Sequence, residues 1–436
     1  MTLFIYIFLS LFLIDNPVYT ADELINDLAC GNCHTGIQTN PGIIKKAPDL
    51  NLVSVKYPAD FIANYLQNPV KIQKDIGASR MPDFNLSGEE AAAVTLYLSS
   101  RVPDSLSEVK TNFSASLQKL IESFPNITIE KGQKVFQALN CQACHISEIT
   151  SADTKNAPDL SIEGSRVKEA WLRSFLSDPQ AVRPFGYLPG SGSRMPDFKL
   201  TDDEVNTLSS YLMKQQKRLP SATGYKVKVL SSFAKMKAEK LLKDKLSCLG
   251  CHQYQGTGGR IAPELAMAHE RLQAGYVYAI INNPAHIADS LIMPRIKMPQ
   301  DRFELIADFL NQQSTHKMTS SYLSLSENET IDFESSSATK RTYLKYCASC
   351  HGVSGKSDGF NSQYLFDNPT LFSDKAYMRR RPDDTLYDGI YGGAYILNKS
   401  NLMPPWGFTL SNNEIKNLVK YIRELCDCTP PVWSTH

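Results

Sequence analysis

Apolar and polar residues recur along this chain with the rhythm of helices. Ile415, Leu418, Val419 and Ile422 fall at three- and four-residue spacing, which lines them up on one face of a helix. Similar patterns cover residues 86–98, 200–212 and 410–422. In each, Ser87, Thr201 or Ser411 stands three residues before Glu90, Glu204 or Glu414, the arrangement of a helix-starting capping box. Shorter helical patterns occupy 132–139 and 342–346. No segment alternates in twos as a half-buried strand would, so the chain reads as all-α.

One apolar run differs from the rest. Residues 3–14 form an apolar run broken only by Ser10, too short to cross a bilayer, which needs ~20 residues. Asn16, Pro17 and small residues follow, so 1–20 reads as a signal peptide with cleavage after Thr20 or Ala21. No Lys or Arg precedes the run, and an uncleaved anchor is the alternative. No other segment is long enough to span a membrane, and export to the periplasm is expected.

A pattern repeats four times on this helical background. Cys30-Gly-Asn-Cys33-His34, Cys141-Gln-Ala-Cys144-His145, Cys248-Leu-Gly-Cys251-His252 and Cys347-Ala-Ser-Cys350-His351 are copies of C-x-x-C-H. Each is followed by a proline in an apolar setting (Pro48, Pro158, Pro263, Pro369) and then by Met-Pro ahead of a closing helix. The Met-Pro positions are Met81, Met195, Met293 and Met403. These repeats place four domains at 21–102, 127–219, 231–316 and 335–425, with a tail at 426–436. Polar connectors lie at 105–123, 220–228 and 319–334.

The bulk properties agree with several small domains. The 436 residues are too many for one core. Lys plus Arg is 46 against 45 for Asp plus Glu, without the basic excess of a nucleic-acid binder. C-x-x-C-H is the attachment signature of c-type haem: two thiols reach the porphyrin vinyl groups and the adjacent His falls under the iron. Zinc would need partner pairs at finger spacing, and a thioredoxin-like pair would not always carry His next in line.

On these motifs each repeat resembles a class I cytochrome c domain, and the resemblance covers nearly all of the mature chain. It implies four small helical bundles, each wrapped around one covalent haem c held through Cys30 and Cys33, Cys141 and Cys144, Cys248 and Cys251, or Cys347 and Cys350. It further implies axial ligation by His34 with Met81, His145 with Met195, His252 with Met293, and His351 with Met403. The carbonyls of Pro48, Pro158, Pro263 and Pro369 are then expected to accept a hydrogen bond from the ligand His of their own repeat. A thioether is a soft neutral ligand that favours ferrous iron, so such ligation raises the reduction potential.

The third methionine is open between two positions. Met293 lies 41 residues after His252 and Met298 lies 46 after it; the first two repeats have 47 and 50. Counting back from the closing helix favours Met293, because Met81 to Leu98, Met195 to Leu212 and Met293 to Leu310 are each 17 apart. His269, His286 and His316 are outside the motifs and read as exposed or core residues. Trp171 and Trp406 read as haem-adjacent or core residues. Lys226, Lys228, Lys235, Lys237, Lys240, Lys243 and Lys245 make a basic stretch, either a solvated face or a docking face for an acidic partner. Cys426 and Cys428 are left over; a disulfide across one residue is strained, so they read as free, paired between chains or bonded to a partner.

Closed His/Met sites carry electrons and do little else. The expectation is a periplasmic electron carrier, not a catalyst, that works between a quinol-oxidising complex or dehydrogenase and a terminal oxidase or reductase. The competing reading is the haem subunit of an oxidoreductase acting on a sulfur compound, an alcohol or peroxide, with one haem as its entry or catalytic site.

Overall fold

The computed structural model describes residues 20–34, 36, 47, 50–70, 81–101, 111–141, 157–182, 194–287, 291–313 and 336–434. The leader, Pro48, Cys144, His145 and His316 lie outside the described residues. The chain is mostly helical, and a two-stranded hairpin (Gln253–Tyr254 with Thr257–Gly258) supplies its one sheet among the described residues.

Every repeat has an opening helix before its C-x-x-C-H turn and a closing helix after its Met-Pro. The opening helices are Ala21–Asp27, Ile129–Ala138, Ser232–Asp244 and Ala338–Tyr346. The closing helices are Gly88–Ser99, Asp202–Met213, Gln300–Leu310 and Asn412–Leu425. Capping boxes at Ser87, Thr201 and Ser411 form as the sequence predicts, and Thr20 with Glu23 makes a fourth. A middle helix completes each repeat: Ala59–Gln67, Glu169–Ser177, Ala274–Asn282 and Asp383–Gly392. The connector at 105–123 is not wholly irregular, since Thr111–Ser123 is helical and the Ser116 hydroxyl accepts from the Ala59 amide at 2.9 Å.

Repeats 3 and 4 close on themselves, opening helix against closing helix. Repeats 1 and 2 do not. The opening helix of repeat 1 packs on the closing helix of repeat 2, and the opening helix of repeat 2 packs on the closing helix of repeat 1. Leu24, Ile25 and Leu28 are buried in one core with Leu160, Leu172, Leu176, Leu208 and Leu212. Val135 and Phe136 are buried with Ala59, Ile62, Val94, Tyr97 and Leu98. The first of these lobes continues into repeat 3 through a backbone pairing of Val167 with Leu272, so their cores are contiguous.

Candidate haem-binding sites

The C-x-x-C-H spacing is a one-turn device. Residues three and four apart share a face of a helical turn, so both thiols and the imidazole are presented together. The turn forms in the three motifs whose histidines are described: His34, His252 and His351 each donate a backbone N–H to the carbonyl of Cys30, Cys248 or Cys347 at 2.9 Å.

Each of these histidines is held by its other ring nitrogen. His252 Nδ1 lies 2.6 Å from the Pro263 carbonyl oxygen, and His351 Nδ1 lies 3.0 Å from that of Thr370. His34 Nδ1 lies 2.8 Å from the Pro158 carbonyl. A carbonyl only accepts, so Nδ1 carries the proton and Nε2 keeps a free lone pair, the arrangement that orients a metal-ligating imidazole. Burial pushes all three histidines down to about 4, so they are neutral near pH 7.

Among the described residues, only Pro263 holds the position the repeat pattern gives it. Pro158, expected to serve His145, instead serves His34, because repeat 1 brings its motif to the second half of repeat 2. Pro369 gives way to Thr370: the Ser357 hydroxyl donates to the Pro369 carbonyl at 2.8 Å and occupies it. Phe372 stacks on the His351 ring with centroids 4.3 Å apart.

The described motif thiols are half-buried. Burial raises Cys33 and Cys350, lifts Cys248 to about 11 and Cys347 to about 12, and lifts Cys251 further with Cys350 and Cys248 adding to it. Two protonated thiols, a neutral imidazole with a free Nε2 and an apolar surround are a donor set that fits a haem joined through two thioethers. Such a group supplies one-electron chemistry at its iron.

The methionines are distributed as follows. Met195 packs on the core that holds Cys30, and Met403 packs on the core of repeat 4 with Cys347 and the buried Trp406. Met81, Met293 and Met298 are half-buried. The segment between Met293 and Met298 touches repeat 4, where Arg295 N–H donates to the Thr409 hydroxyl at 3.1 Å and Lys297 Nζ lies 4.4 Å over the Phe408 ring. Cys141 packs on the core of Ala59, Ile62 and Phe136. Trp171 stacks on Phe175 at 4.7 Å, and His286 is exposed. Cys426 and Cys428, expected to be free or paired elsewhere, are instead joined to each other by a disulfide and are buried.

Two asparagines that the sequence did not single out link the motifs in pairs. Asn361, fully buried, donates to the Gly250 carbonyl of the third motif at 2.9 Å and approaches Cys350 Sγ of the fourth at 3.3 Å. Its Oδ1 accepts from the Arg260 backbone N–H at 2.8 Å. Gly250 has no room for a side chain, because a Cβ would sit 1.9 Å from the Leu402 carbonyl oxygen. Asn140 has the same role between the first two motifs. Its amide donates to the Asn32 carbonyl at 3.3 Å and approaches Cys33 Sγ at 3.6 Å. Asn140 immediately precedes Cys141, so it draws the second motif to the first. Neither residue belongs to C-x-x-C-H, and only contact between repeats reveals its role.

Residues 335–422 match the family described as cytochrome C oxidase, cbb3-type, subunit III, and residues 129–216 match the family described as cytochrome c. No curated protein and no solved structure matches the chain. The two family matches mark the chain as multihaem c-type cytochrome in character, with covalently bound haem c and electron transfer as its class of function.

Proposed function

We propose that the chain is a periplasmic electron-transfer protein that carries four haem c groups, one at each C-x-x-C-H motif, and relays electrons between respiratory partners. The observation that carries this reading is the pairing of motifs by Asn140 and Asn361, which sets attachment sites side by side. Rigid neighbouring sites are what a relay needs, and the contiguous core between repeat 2 and repeat 3 joins the two pairs. Cys30, Cys33, Cys141, Cys144, Cys248, Cys251, Cys347 and Cys350 hold the haems, and His34, His145, His252 and His351 are the proximal ligands. Methionine is the second ligand, with Met403 for His351 and Met293 for His252. The similarity of 335–422 to a cbb3-type oxidase subunit points to an oxidase-linked respiratory chain as the setting.

Intact mass of the exported protein tests the haem count. The expected value is the polypeptide plus four haems, and a mass equal to the polypeptide alone sinks the proposal. Carbon monoxide should leave the reduced spectrum unchanged if all four irons are closed by methionine; a shifted Soret band identifies an open, reactive site and favours the enzymatic reading.

A further inference from the structure

We infer that the first haem site is built by exchange between repeats, so that His34 shares its iron with Met195, which leaves Met81 as the methionine for the haem of the second motif. This rests on the haem reading above and goes beyond it, because it assigns which side chains meet at one metal.

Four independent features place the first motif with the second half of repeat 2. The imidazole of His34 is oriented by Pro158, and Ala157 N–H donates to the Cys33 carbonyl at 3.3 Å. Gly36, at φ +78°, lies so close to this segment that a Cβ would be 2.1 Å from Asp159 Oδ1 and 2.4 Å from the Ser161 nitrogen. Cys30, Met195 and Phe198 pack on the same core. The opening helix of repeat 1 lies on the closing helix of repeat 2.

The second motif is placed with repeat 1 in the same way. Gly132 crosses the closing helix of repeat 1 so tightly that a Cβ would stand 1.9 Å from the Ala93 carbonyl oxygen, and Phe136 packs on Tyr97 at 5.5 Å. Cys141 and Phe84, which follows Met81 by three residues, pack on this second core. Repeats 3 and 4 serve as internal controls, with His252 held by Pro263 and His351 by Thr370 of their own repeats.

The two Met-Pro-Asp-Phe loops meet where the lobes join. Asp83 and Asp197 exchange backbone hydrogen bonds at 2.8 and 2.7 Å, and Arg194 reaches Glu90 of repeat 1 at 2.5 Å. Met81 and Met195 each stand two residues before the paired aspartates. Each loop therefore turns back at the junction while its phenylalanine enters the lobe that holds the other repeat's motif.

The pairing is tested in the full-length exported protein by removing the first haem with the double variant Cys30→Ala/Cys33→Ala. Adding Met81→Ala or Met195→Ala to that background asks which methionine the second haem uses. Exchange predicts that Met81→Ala opens one of the remaining irons to carbon monoxide and abolishes its methionine-to-ferric charge-transfer band. Met195→Ala, its own haem already gone, leaves both readouts unchanged. The opposite result overturns the inference. Unfolding of the haem-free lobe does not blur the test, since Cys141 and Phe84 pack on the other core and the second site belongs to that lobe under exchange. A second measurement cuts the intact holoprotein at a protease site inserted within 102–110. Exchange keeps the two fragments together in high salt until denaturant is added, whereas release of an N-terminal fragment bearing one haem refutes it. The unmodified protein's mass reports separately on haem attachment itself, so loss of that reading is distinguishable from loss of this one.

Discussion

Replacing Asn361 with alanine tests whether the third and fourth motifs are held by the contacts described above. Asn361 is fully buried, and its amide is satisfied on both sides: Nδ2 by the Gly250 carbonyl at 2.9 Å, Oδ1 by the Arg260 N–H at 2.8 Å. Truncation leaves one buried acceptor and one donor without partners, each costing ~1–3 kcal/mol. The sum is about 2–6 kcal/mol, with the lower end applying if water enters the space. Hydrogen exchange at the Arg260 amide reads this locally, and about 2 kcal/mol corresponds to a roughly 30-fold loss of protection. The guanidinium midpoint of the repeat 3–repeat 4 unit should fall in parallel. Asn361→Asp should fare no better, since it keeps the acceptor for Arg260 but turns a second acceptor towards the Gly250 carbonyl. Protection within threefold of the parent and an unmoved midpoint would refute the reasoning.

Three further outcomes are expected. The Arg194–Glu90 pair, both side chains 7% exposed, should cost ~3–5 kcal/mol when Arg194→Met leaves Glu90 buried without its counter-charge, though still held by the Ser87 N–H; urea unfolding measures the loss, and adding Glu90→Gln should restore part of it. Gly132→Ala should destabilise by ~1–3 kcal/mol by forcing the crossed helices apart, whereas Gly275→Ala, whose Cβ would meet only Ala222 at 3.6 Å, should be neutral or stabilising in thermal melts. Glu163 is buried and, despite its Arg166 partner, is pushed above its ordinary 4.5 by desolvation. A raised folded value means its contribution to stability is full below about 4.5 and lost as pH rises through the folded value. Glu163→Gln should therefore flatten that part of the stability–pH curve, and an unchanged slope would count against it.

Much of the local structure was legible because short-range rules dictate it. The closing helices predicted at 86–98, 200–212 and 410–422 form as Gly88–Ser99, Asp202–Met213 and Asn412–Leu425, each begun by its capping box. The motif turn follows from its own spacing. What stayed hidden depends on residues far apart in sequence. Thr370 replaces Pro369 because the Ser357 hydroxyl reaches the proline carbonyl, a contact that no repeat pattern encodes. Asn140 and Asn361 look like ordinary turn residues until two repeats meet around them.

The exchange of repeats 1 and 2 was hidden for a deeper reason. Both carry Arg-Met-Pro-Asp-Phe, both carry Ala-Pro-Asp-Leu, and both closing helices begin with the same capping box. These shared motifs do not specify which copy they bind, so they contribute almost equally to either arrangement. The choice then falls to connection and junction terms. Residues 35–49 and 142–156 each give 15 residues between the elements they join, a reach of about 50 Å, and doubling a loop costs only ~0.6 kcal/mol. In repeat 3 Pro263 follows His252 by 11 positions, against 14 from His34 to Pro48 and 13 from His145 to Pro158, and a hairpin at Gln253–Gly258 takes up part of that stretch. Repeat 4 spans 18 residues over the same interval and still docks on itself, because its loop is tied by its own hydrogen bonds. These run from the Ser357 N–H to the His351 carbonyl and from the Ser357 hydroxyl to the Pro369 carbonyl, both at 2.8 Å. Internal ties, more than length, hold a motif to its own repeat.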